Sequence, residues 1–236
     1  MAGNDSYTKL LLHMDGADGS TTFTDSSLAS QGTATTFGTV QVDTAQSVFG
    51  GASLLGDGDS DYLTFPDSND WFFDVLDFTI DFWVRFNSVA SDITFYSQKV
   101  DGNNYFIFKY QSAGALGGFE TVGGVDKIFD TRSWSPSTNT WYHIAYVRSG
   151  GNTFRIFVDG TQLGTDITNS EAITNFATGI AIGSQTGPQG INGWIDEFRI
   201  SKGIARWTTN FTPPTSAYSV DSTATNSSRM LMGMGQ

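Results

Sequence analysis

Residues 140–164, TWYHIAYVRSGGNTFRIFVDGTQLG, leave this chain few folds to adopt. Two runs rich in aromatic and β-branched residues flank the pair Gly150-Gly151, and the second run ends in Val-Asp-Gly. Such runs around a glycine turn predict an antiparallel β-hairpin. A further strand is predicted within residues 193–207, GWIDEFRISKGIARW.

The rest of the chain has the composition of an all-β protein. Charged residues are only 15% of the 236 and aromatic residues 14%, which argues against long helices. Residues 77–86 alternate, with Phe78, Ile80, Phe82, Val84 and Phe86 on one face and Thr79, Asp81, Trp83 and Arg85 on the other. The first face is expected to pack inward and the second to be polar. About a dozen strands at this spacing predict a two-sheet antiparallel jelly-roll sandwich.

Charge and cysteine content narrow the possible partners and chemistry. The net charge of −12 repels phosphate backbones, so we expect no nucleic-acid partner. Because cysteine is absent, a disulfide framework and a thiolate metal site are excluded. Residues 1–16 have no basic segment and only a three-leucine run, which predicts cytosolic synthesis without a signal peptide and no membrane insertion.

Several short motifs resemble one known fold family. They are LLHMDGADGSTTFTDSS at 11–27, SVFGGASLLGDGDSDYLTF at 47–65, FTIDFWVRF at 78–86, and the segments 140–164 and 193–207. In this order they resemble the laminin-G-like or concanavalin-A-like lectin/glucanase jelly roll of the type found in phage virion structural proteins. The resemblance implies one domain over residues 1–218, whose first and last strands lie close together. Residues 219–236 would form a polar, Met-ending tail, either free or held by a partner.

The resemblance also implies a function. It suggests a non-enzymatic virion-associated module, a decoration or tail-fibre component on the virion surface, released by host lysis into the extracellular space. Such a module would contact other virion subunits through its chain ends, act in an oligomeric assembly and bind glycans. Two alternatives stay open, a free carbohydrate-binding lectin supported by calcium and a divergent glycosidase. Fold alone does not choose among them.

Asp196 is the carboxylate least suited to its predicted surroundings. Strict alternation along the last strand places it on one face with Trp194, Phe198 and Ile200. A carboxylate among apolar side chains must be paired, hydrogen-bonded, protonated or bound to metal. The resemblance implies a structural Ca²⁺ at this place, held by Asp196 together with Asp15 and the carbonyl groups of Gly50 and Gly51. The alternative is a buried Asp196 that accepts hydrogen bonds from a neighbouring turn.

Aromatic residues supply the candidates for carbohydrate binding. Trp83, flanked by Asp81 and Arg85, could stack on a sugar ring while its charged neighbours bind hydroxyl groups. Packing is the competing interpretation, because the resembled fold itself carries Trp there. Further aromatic candidates are Trp71, Tyr105 and Tyr110.

Catalysis finds little support in the sequence. Retaining glycosidases need two carboxylates roughly 5 Å apart, whereas Glu120, Glu171 and Glu197 are the only glutamates and are isolated in sequence. His13 and His143 have no hydrolase motif beside them. Trp141 and His143 are interpreted as architectural residues. We therefore expect a protein that is not an enzyme.

Overall fold

The computed structural model describes residues 3–183 and 189–219, and β-strands form nearly all of their regular structure. In chain order the strands are β1 Thr8–Leu12, β2 Thr35–Phe37, β3 Gln41–Asp43, β4 Ser53–Asp57, β5 Tyr62–Phe65, β6 Phe78–Phe86, β7 Ile93–Asp101, β8 Asn104–Gln111, β9 Ala115–Val122, β10 Val125–Ser133, β11 Trp141–Ser149, β12 Thr153–Val158, β13 Thr161–Thr168, β14 Ile180–Gly183 and β15 Asn192–Lys202. A short 3-10 helix spans Asn69–Trp71. None of the described residues belongs to a helix long and apolar enough to cross a membrane.

The strands form two antiparallel sheets, which confirms the predicted two-sheet sandwich. The first sheet has the order β13-β12-β11-β6-β15-β4-β3, with β1 also paired to β15. The second sheet has the order β10-β9-β8-β7-β14-β5-β2. The pairing of β1 with β15 brings the first and last strands together, as expected.

Aromatic side chains from both sheets interleave between them. Phe82 of β6 stacks on Phe198 of β15 at 5.4 Å between ring centroids, and packs against Phe95 of β7 at 4.8 Å. Phe108 of β8 stacks on Tyr146 of β11 at 4.7 Å. The apolar face predicted for residues 78–86 therefore does point into the core, where burial of these rings is the main stabilising term.

The outer face of the first sheet is divided into a covered half and an open half. Residues 203–219, called the covering segment below, cross this face and pack Trp207 on Ala145, Val147 and Phe157. Trp207 and Phe211 stack at 4.0 Å between centroids. The chain start joins them, because Gly3 N and Asn4 N donate to the Ser219 carbonyl. The face of β6 predicted to be polar is therefore half buried by the chain's own ends.

One strand escaped prediction. β13, Thr161–Thr168, follows the turn at Asp159-Gly160 and forms the exposed edge of the first sheet. Its side chains are exposed or half-buried throughout. Its sequence therefore lacks the alternation of apolar and polar residues that predicts a strand. Beyond Ser219, the predicted tail lies outside the described residues.

Candidate functional site

The covering segment separates the residues of the predicted sugar platform on β6. Asp81 lies beneath the segment and is 0% exposed. Trp83 and Arg85 are half-buried on the open half of the same face. The structure thus removes Asp81 from the platform, because no ligand can reach its carboxylate.

Asp81 is instead the centre of a buried network. Arg199 Nε and Nη2 donate to its two oxygens at 2.9 and 3.1 Å, and the Tyr218 hydroxyl donates to it at 2.5 Å. His143 Nε2 lies 3.7 Å away. Burial alone would raise the pKa of Asp81, but the Arg199 charge and the nearby imidazole outweigh it and lower the pKa to about 2. The network joins β6, β15 and the covering segment.

The open half gathers three tryptophans around one arginine. Arg85 lies between Trp141 on β11 and Trp194 on β15 in the strand register, and its guanidinium sits 4.8 Å from the Trp194 ring centroid. Trp83, two residues before Arg85, completes the group, and all four side chains are half-buried. We call Trp83, Arg85, Trp141 and Trp194 the tryptophan patch. Exposed aromatic faces beside a polar group are the chemistry that sugar rings bind.

The edges of the tryptophan patch are fixed by polar and aromatic neighbours. Trp194 Nε1 donates to Asp43 Oδ2 at 2.6 Å. Trp83 packs edge-on against Phe49, with 6.1 Å between centroids, and its buried Nε1 has no partner among the described residues. Sequence reasoning missed Trp141 and Trp194 as site residues, since only the cross-strand register shows that they flank Arg85.

The other aromatic candidates lie elsewhere. Trp71 is 0% exposed and donates its indole N–H to the Pro66 carbonyl at 2.9 Å, while Tyr110 is 3% exposed and packs in the core. Burial leaves neither ring a face for a sugar, so the structure removes both from the predicted site. Tyr105 is half-buried on β8 of the second sheet, apart from the tryptophan patch.

A β-bulge in the last strand changes the predicted surroundings of Asp196. Asp196 pairs with Trp83, but Arg199 pairs with Asp81, so β15 holds one extra residue here. Glu197 lies within the bulge and has a left-handed backbone conformation, with a φ of 50°. Trp194 and Asp196 consequently face outward, whereas Phe198 and Ile200 belong to the core. The prediction that all four share one face is wrong, because strict alternation fails at a bulge.

The bulge leaves Asp196 buried and incompletely bonded. Its Oδ2 accepts from the backbone N–H groups of Val48 at 2.7 Å and Phe49 at 3.1 Å. Its Oδ1 has no hydrogen-bond partner among the described residues. Burial raises the pKa of Asp196 to about 7, and the nearby carboxylates of Glu197 and Asp15 contribute to the rise.

The predicted metal residues do come together in one region. Gly50 has a φ of 64°, and a Cβ there would collide with the Asp15 carboxylate, so this position requires glycine. Gly51 follows in the same turn and is exposed. Burial raises the pKa of Asp15, and the charge of Glu197 adds to it. Asp15 thus lies against the glycine turn, and its charge and that of Glu197 act on the buried Asp196.

A histidine and a cavity adjoin this region. His13 Nδ1 lies 2.6 Å from Glu197 Oε1. This hydrogen bond is the largest influence on His13 and raises its pKa, which favours an ion pair. A cavity of about 360 Å³ opens beside it, lined by His13, Asp15, Ser20 and Thr22 among others.

The predicted donor set consists of oxygen atoms, the ligands that calcium prefers. No group of three or more His, Cys, Asp or Glu side chains within residues 3–183 and 189–219 is arranged to hold a metal. Ca²⁺ accepts roughly 6–8 oxygens, including carbonyl groups and water. Asp15 and Asp196 can supply two of these oxygens, so carbonyl groups and water would have to complete the shell.

The three glutamates occupy three different environments. Glu120 is 0% exposed, accepts from Thr174 N at 2.6 Å and has its pKa raised by burial. Glu171 is exposed. Glu197 is held by His13 and by the Tyr218 N–H at 3.0 Å. None of them lies in the tryptophan patch.

Comparison with known proteins supports the fold. Residues 57–206 match the family model described as the concanavalin A-like lectin/glucanases superfamily. The search of curated protein sequences returned no significant match.

Solved structures of similar fold include both enzyme-borne and toxin-borne domains. Domain 4 of AbnA, a GH43 extracellular arabinanase from Geobacillus stearothermophilus solved with arabinotriose, has a TM-score of 0.63 and 18% identity over 84% of this chain and 93% of that one. The binding domain of Paraclostridial Mosquitocidal Protein 1 has a TM-score of 0.63 and 16% identity over 84% of this chain. A structure of botulinum neurotoxin type C has a TM-score of 0.56 and 17% identity over 84% of this chain. Cell entry of that toxin is described as dependent on interaction with two ganglioside molecules. This chain spans about half of each toxin structure, 49% and 48%. At these identities the likeness shows the fold alone.

Proposed function

This chain belongs to the concanavalin A-like lectin/glucanases superfamily, and we propose that it is a non-catalytic module that binds glycans through the tryptophan patch. The observation that carries the proposal is the cluster of three half-buried tryptophans around Arg85 on an uncovered sheet face. Tryptophan and arginine are the residues most enriched at binding hot spots. The similar folds include domains described as binding domains and one solved with an oligosaccharide.

The geometry supports a binding role over hydrolysis. A retaining glycosidase needs two carboxyl groups roughly 5 Å apart beside its sugar site. Two acids adjoin the tryptophan patch: Asp43, which accepts the Trp194 indole N–H at 2.6 Å, and Asp196, which is buried and bonded to backbone N–H groups. Asp81 is sealed off by the covering segment and held ionised by Arg199. The divergent glycosidase therefore remains the weaker alternative.

A glycan array followed by calorimetry tests the proposal. We expect the protein to bind a defined set of saccharides, and Trp194→Ala to lower the affinity about tenfold or more, as for a hot-spot aromatic residue. Tyr105→Ala, which removes a half-buried ring from the other sheet, is the matched control and should bind normally. Release of reducing sugar from polysaccharide would favour the glycosidase instead.

We further propose that Ca²⁺ supports this module, held by Asp15, Asp196 and the carbonyl groups of the Gly50-Gly51 turn. The unpaired Oδ1 of buried Asp196 and the adjoining Asp15 carboxylate support this site. When bound, the ion would compensate the negative charge that burial makes costly. The protein's own contribution is to fix Asp196 through the Val48 and Phe49 N–H groups.

Chelation tests the calcium proposal. EDTA should lower the melting temperature, added Ca²⁺ should restore it, and elemental analysis should find about one calcium per chain. Asp196→Ala should abolish the EDTA effect, whereas Asp18→Ala, which changes an exposed acid in the loop after Asp15, should keep it. An unchanged melting curve together with no bound calcium would remove the site.

The virion setting is part of the proposal and rests on the motif resemblance at residues 11–27 and 193–207. The module would be a decoration or tail-fibre component at the virion surface, in contact with other subunits and oligomeric in the assembly. Residues 3–8 and the covering segment pack on their own first sheet. Contacts through the ends would thus use the outer surface of these segments. Mass spectrometry of purified virions, and capsid or tail genes beside this one, would support the setting. A metabolic operon would favour the free lectin.

A further inference from the structure

Arg85 differs from every other arginine in the described residues. The five others have acceptors: Arg132 pairs with Asp130, Arg155 with Asp166, Arg199 with Asp81 and Arg206 with Asp5, while Arg148 donates to the carbonyl groups of Asp74, Gly151 and Glu171. Within residues 3–183 and 189–219, the side chain of Arg85 has neither an ion pair nor a hydrogen bond. Its guanidinium lies over the face of Trp194, 4.8 Å from the ring centroid.

This isolation is unusual given the charge of the whole chain. Acidic residues outnumber basic ones by 24 to 12, so a guanidinium would be expected to find a carboxylate. Arginine stays charged at all ordinary pH values, and its planar donors match a carboxylate in a two-point fork. The stacking on Trp194 holds the guanidinium in place beside the ring while leaving its N–H groups unused.

Neither of the two neighbouring acids, Asp43 and Asp196, forms an ion pair with Arg85. The Asp43 carboxylate accepts the Trp194 indole N–H at 2.6 Å and forms no ion pair with Arg85. Asp196, one residue pair further along, is buried and bonded to the Val48 and Phe49 N–H groups. Both local carboxylates are thus committed elsewhere. The N–H groups of Arg85 are therefore available to an acceptor on a ligand.

We propose that the tryptophan patch selects acidic saccharides, with Arg85 binding the carboxylate of a uronic or sialic acid residue. This inference rests on the proposed glycan-binding function and names its ligand class. Trp141 and Trp194, the cross-strand neighbours of Arg85, offer apolar ring surface to the faces of the sugar. A neutral sugar would use the rings and leave the guanidinium unpaired.

Matched pairs of saccharides test this selectivity. The array should carry uronic acid oligosaccharides with their methyl esters, sialylated oligosaccharides with their asialo forms, and sulfated oligosaccharides with their desulfated forms. We expect the carboxylate form of a pair to bind about tenfold or more tightly than its neutral partner, the range of a charge-assisted hydrogen-bonded pair. The advantage should shrink as salt is added.

Variants at Arg85 assign the effect to the guanidinium. Arg85→Gln should remove the preference for the carboxylate form, so that the two forms of each pair bind with equal affinity. Arg85→Lys should restore only part of the preference, since an ammonium cannot make the two-point fork. Arg155→Gln is the matched control, because Arg155 belongs to β12 of the same sheet but is paired with Asp166. Thermal unfolding confirms that each variant is folded.

The outcomes separate the two proposals. Equal affinity for acidic and neutral forms, or an unchanged preference in Arg85→Gln, overturns the acidic-sugar inference while glycan binding stands through Trp194→Ala. Tighter binding of sulfated than of carboxylate forms overturns the carboxylate assignment. Failure of the wild-type protein to bind any saccharide overturns the proposed function and this inference together.

Discussion

At the scale of single residues, the charges of Asp81 and Arg199 on the first sheet are buried and paired, whereas the Arg85 guanidinium on the same sheet has no ion pair among the described residues. Asp81 and Arg199 are both almost fully buried, and each satisfies the other through two hydrogen bonds. Arg85 keeps its donors free on the same sheet. Sequence position alone does not distinguish these roles, since Asp81 and Arg85 alternate on one face of one strand.

The acid sensitivity of folding should report on Asp81. Its pKa falls from 3.8 to about 2 on folding, so the unfolded chain binds more protons between these values. The stabilisation, about 2 kcal/mol, is complete above pH 4 and is lost as the pH falls through 2. Urea unfolding from pH 5 to 2 measures this loss of stability.

Asp81→Asn should be less stable by about 3–5 kcal/mol at neutral pH, since it leaves Arg199 unpaired. Its free energy of unfolding should also depend less steeply on pH between 5 and 2. Equal slopes in both proteins would contradict the role.

At the scale of elements, the hairpin of residues 140–164 is the surface on which the covering segment packs. The turn between β12 and β13 contains Gly160, whose carbonyl accepts the Phe211 N–H at 2.8 Å. A Cβ on Gly160 would collide with the Phe211 carbonyl, and the residue has a φ of 73°. The turn therefore needs glycine for two reasons, its backbone conformation and the close approach of the covering segment.

Two glycine substitutions separate these reasons. Gly150 also has a left-handed φ, 60°, but a Cβ added there would meet no atom within 4 Å. Gly150→Ala should lower the free energy of unfolding by about 1–2 kcal/mol, the cost of placing a Cβ on a left-handed backbone. Gly160→Ala should lower the free energy of unfolding by about 1–3 kcal/mol more, because its Cβ would also be overpacked against the Phe211 carbonyl. Chemical denaturation of both variants measures the difference, and equal losses would show that Phe211 yields without strain.

At the scale of the whole molecule, the two chain ends complete the first sheet. The covering segment buries Ala145, Val147 and Phe157, and Arg206 joins it to Asp5 at 2.9 Å. Without it the Asp81 network would lose Tyr218 and face solvent. The sandwich is therefore complete only with both ends in place.

Two truncations test the contribution of the covering segment. A chain ending at Lys202 should be less stable than one ending at Ser219, by about 1.5–3 kcal/mol for each large apolar side chain that loses its burial. Residues 220–236 are missing from both chains, so the comparison isolates residues 203–219. Calorimetry gives the two melting temperatures. Equal values would mean that the sheet is stable without its cover.

The accuracy of the sequence predictions follows from what a local pattern can encode. Alternation in residues 78–86 identified the core face of β6 correctly, because a regular strand has a period of two. The same rule misplaced Phe198 and Ile200, since the bulge at Glu197 depends on tertiary contacts. The full burial of Trp71 and the half-burial of Trp194 both follow from which elements lie next to each ring in space. The candidate site could be predicted only in part, through Trp83 and Arg85.

The meeting of the two ends has a consequence for how the protein can be displayed. Gly3 and Ser219 lie together beside Arg199, whereas the tryptophan patch lies toward the start of β15, at Trp194. A tether attached at Gly3 or Ser219 would thus join the molecule away from the tryptophan patch. Many copies held this way on one surface would present their tryptophan patches side by side. Under the proposed glycan-binding function, weak individual contacts would then combine into strong multivalent attachment.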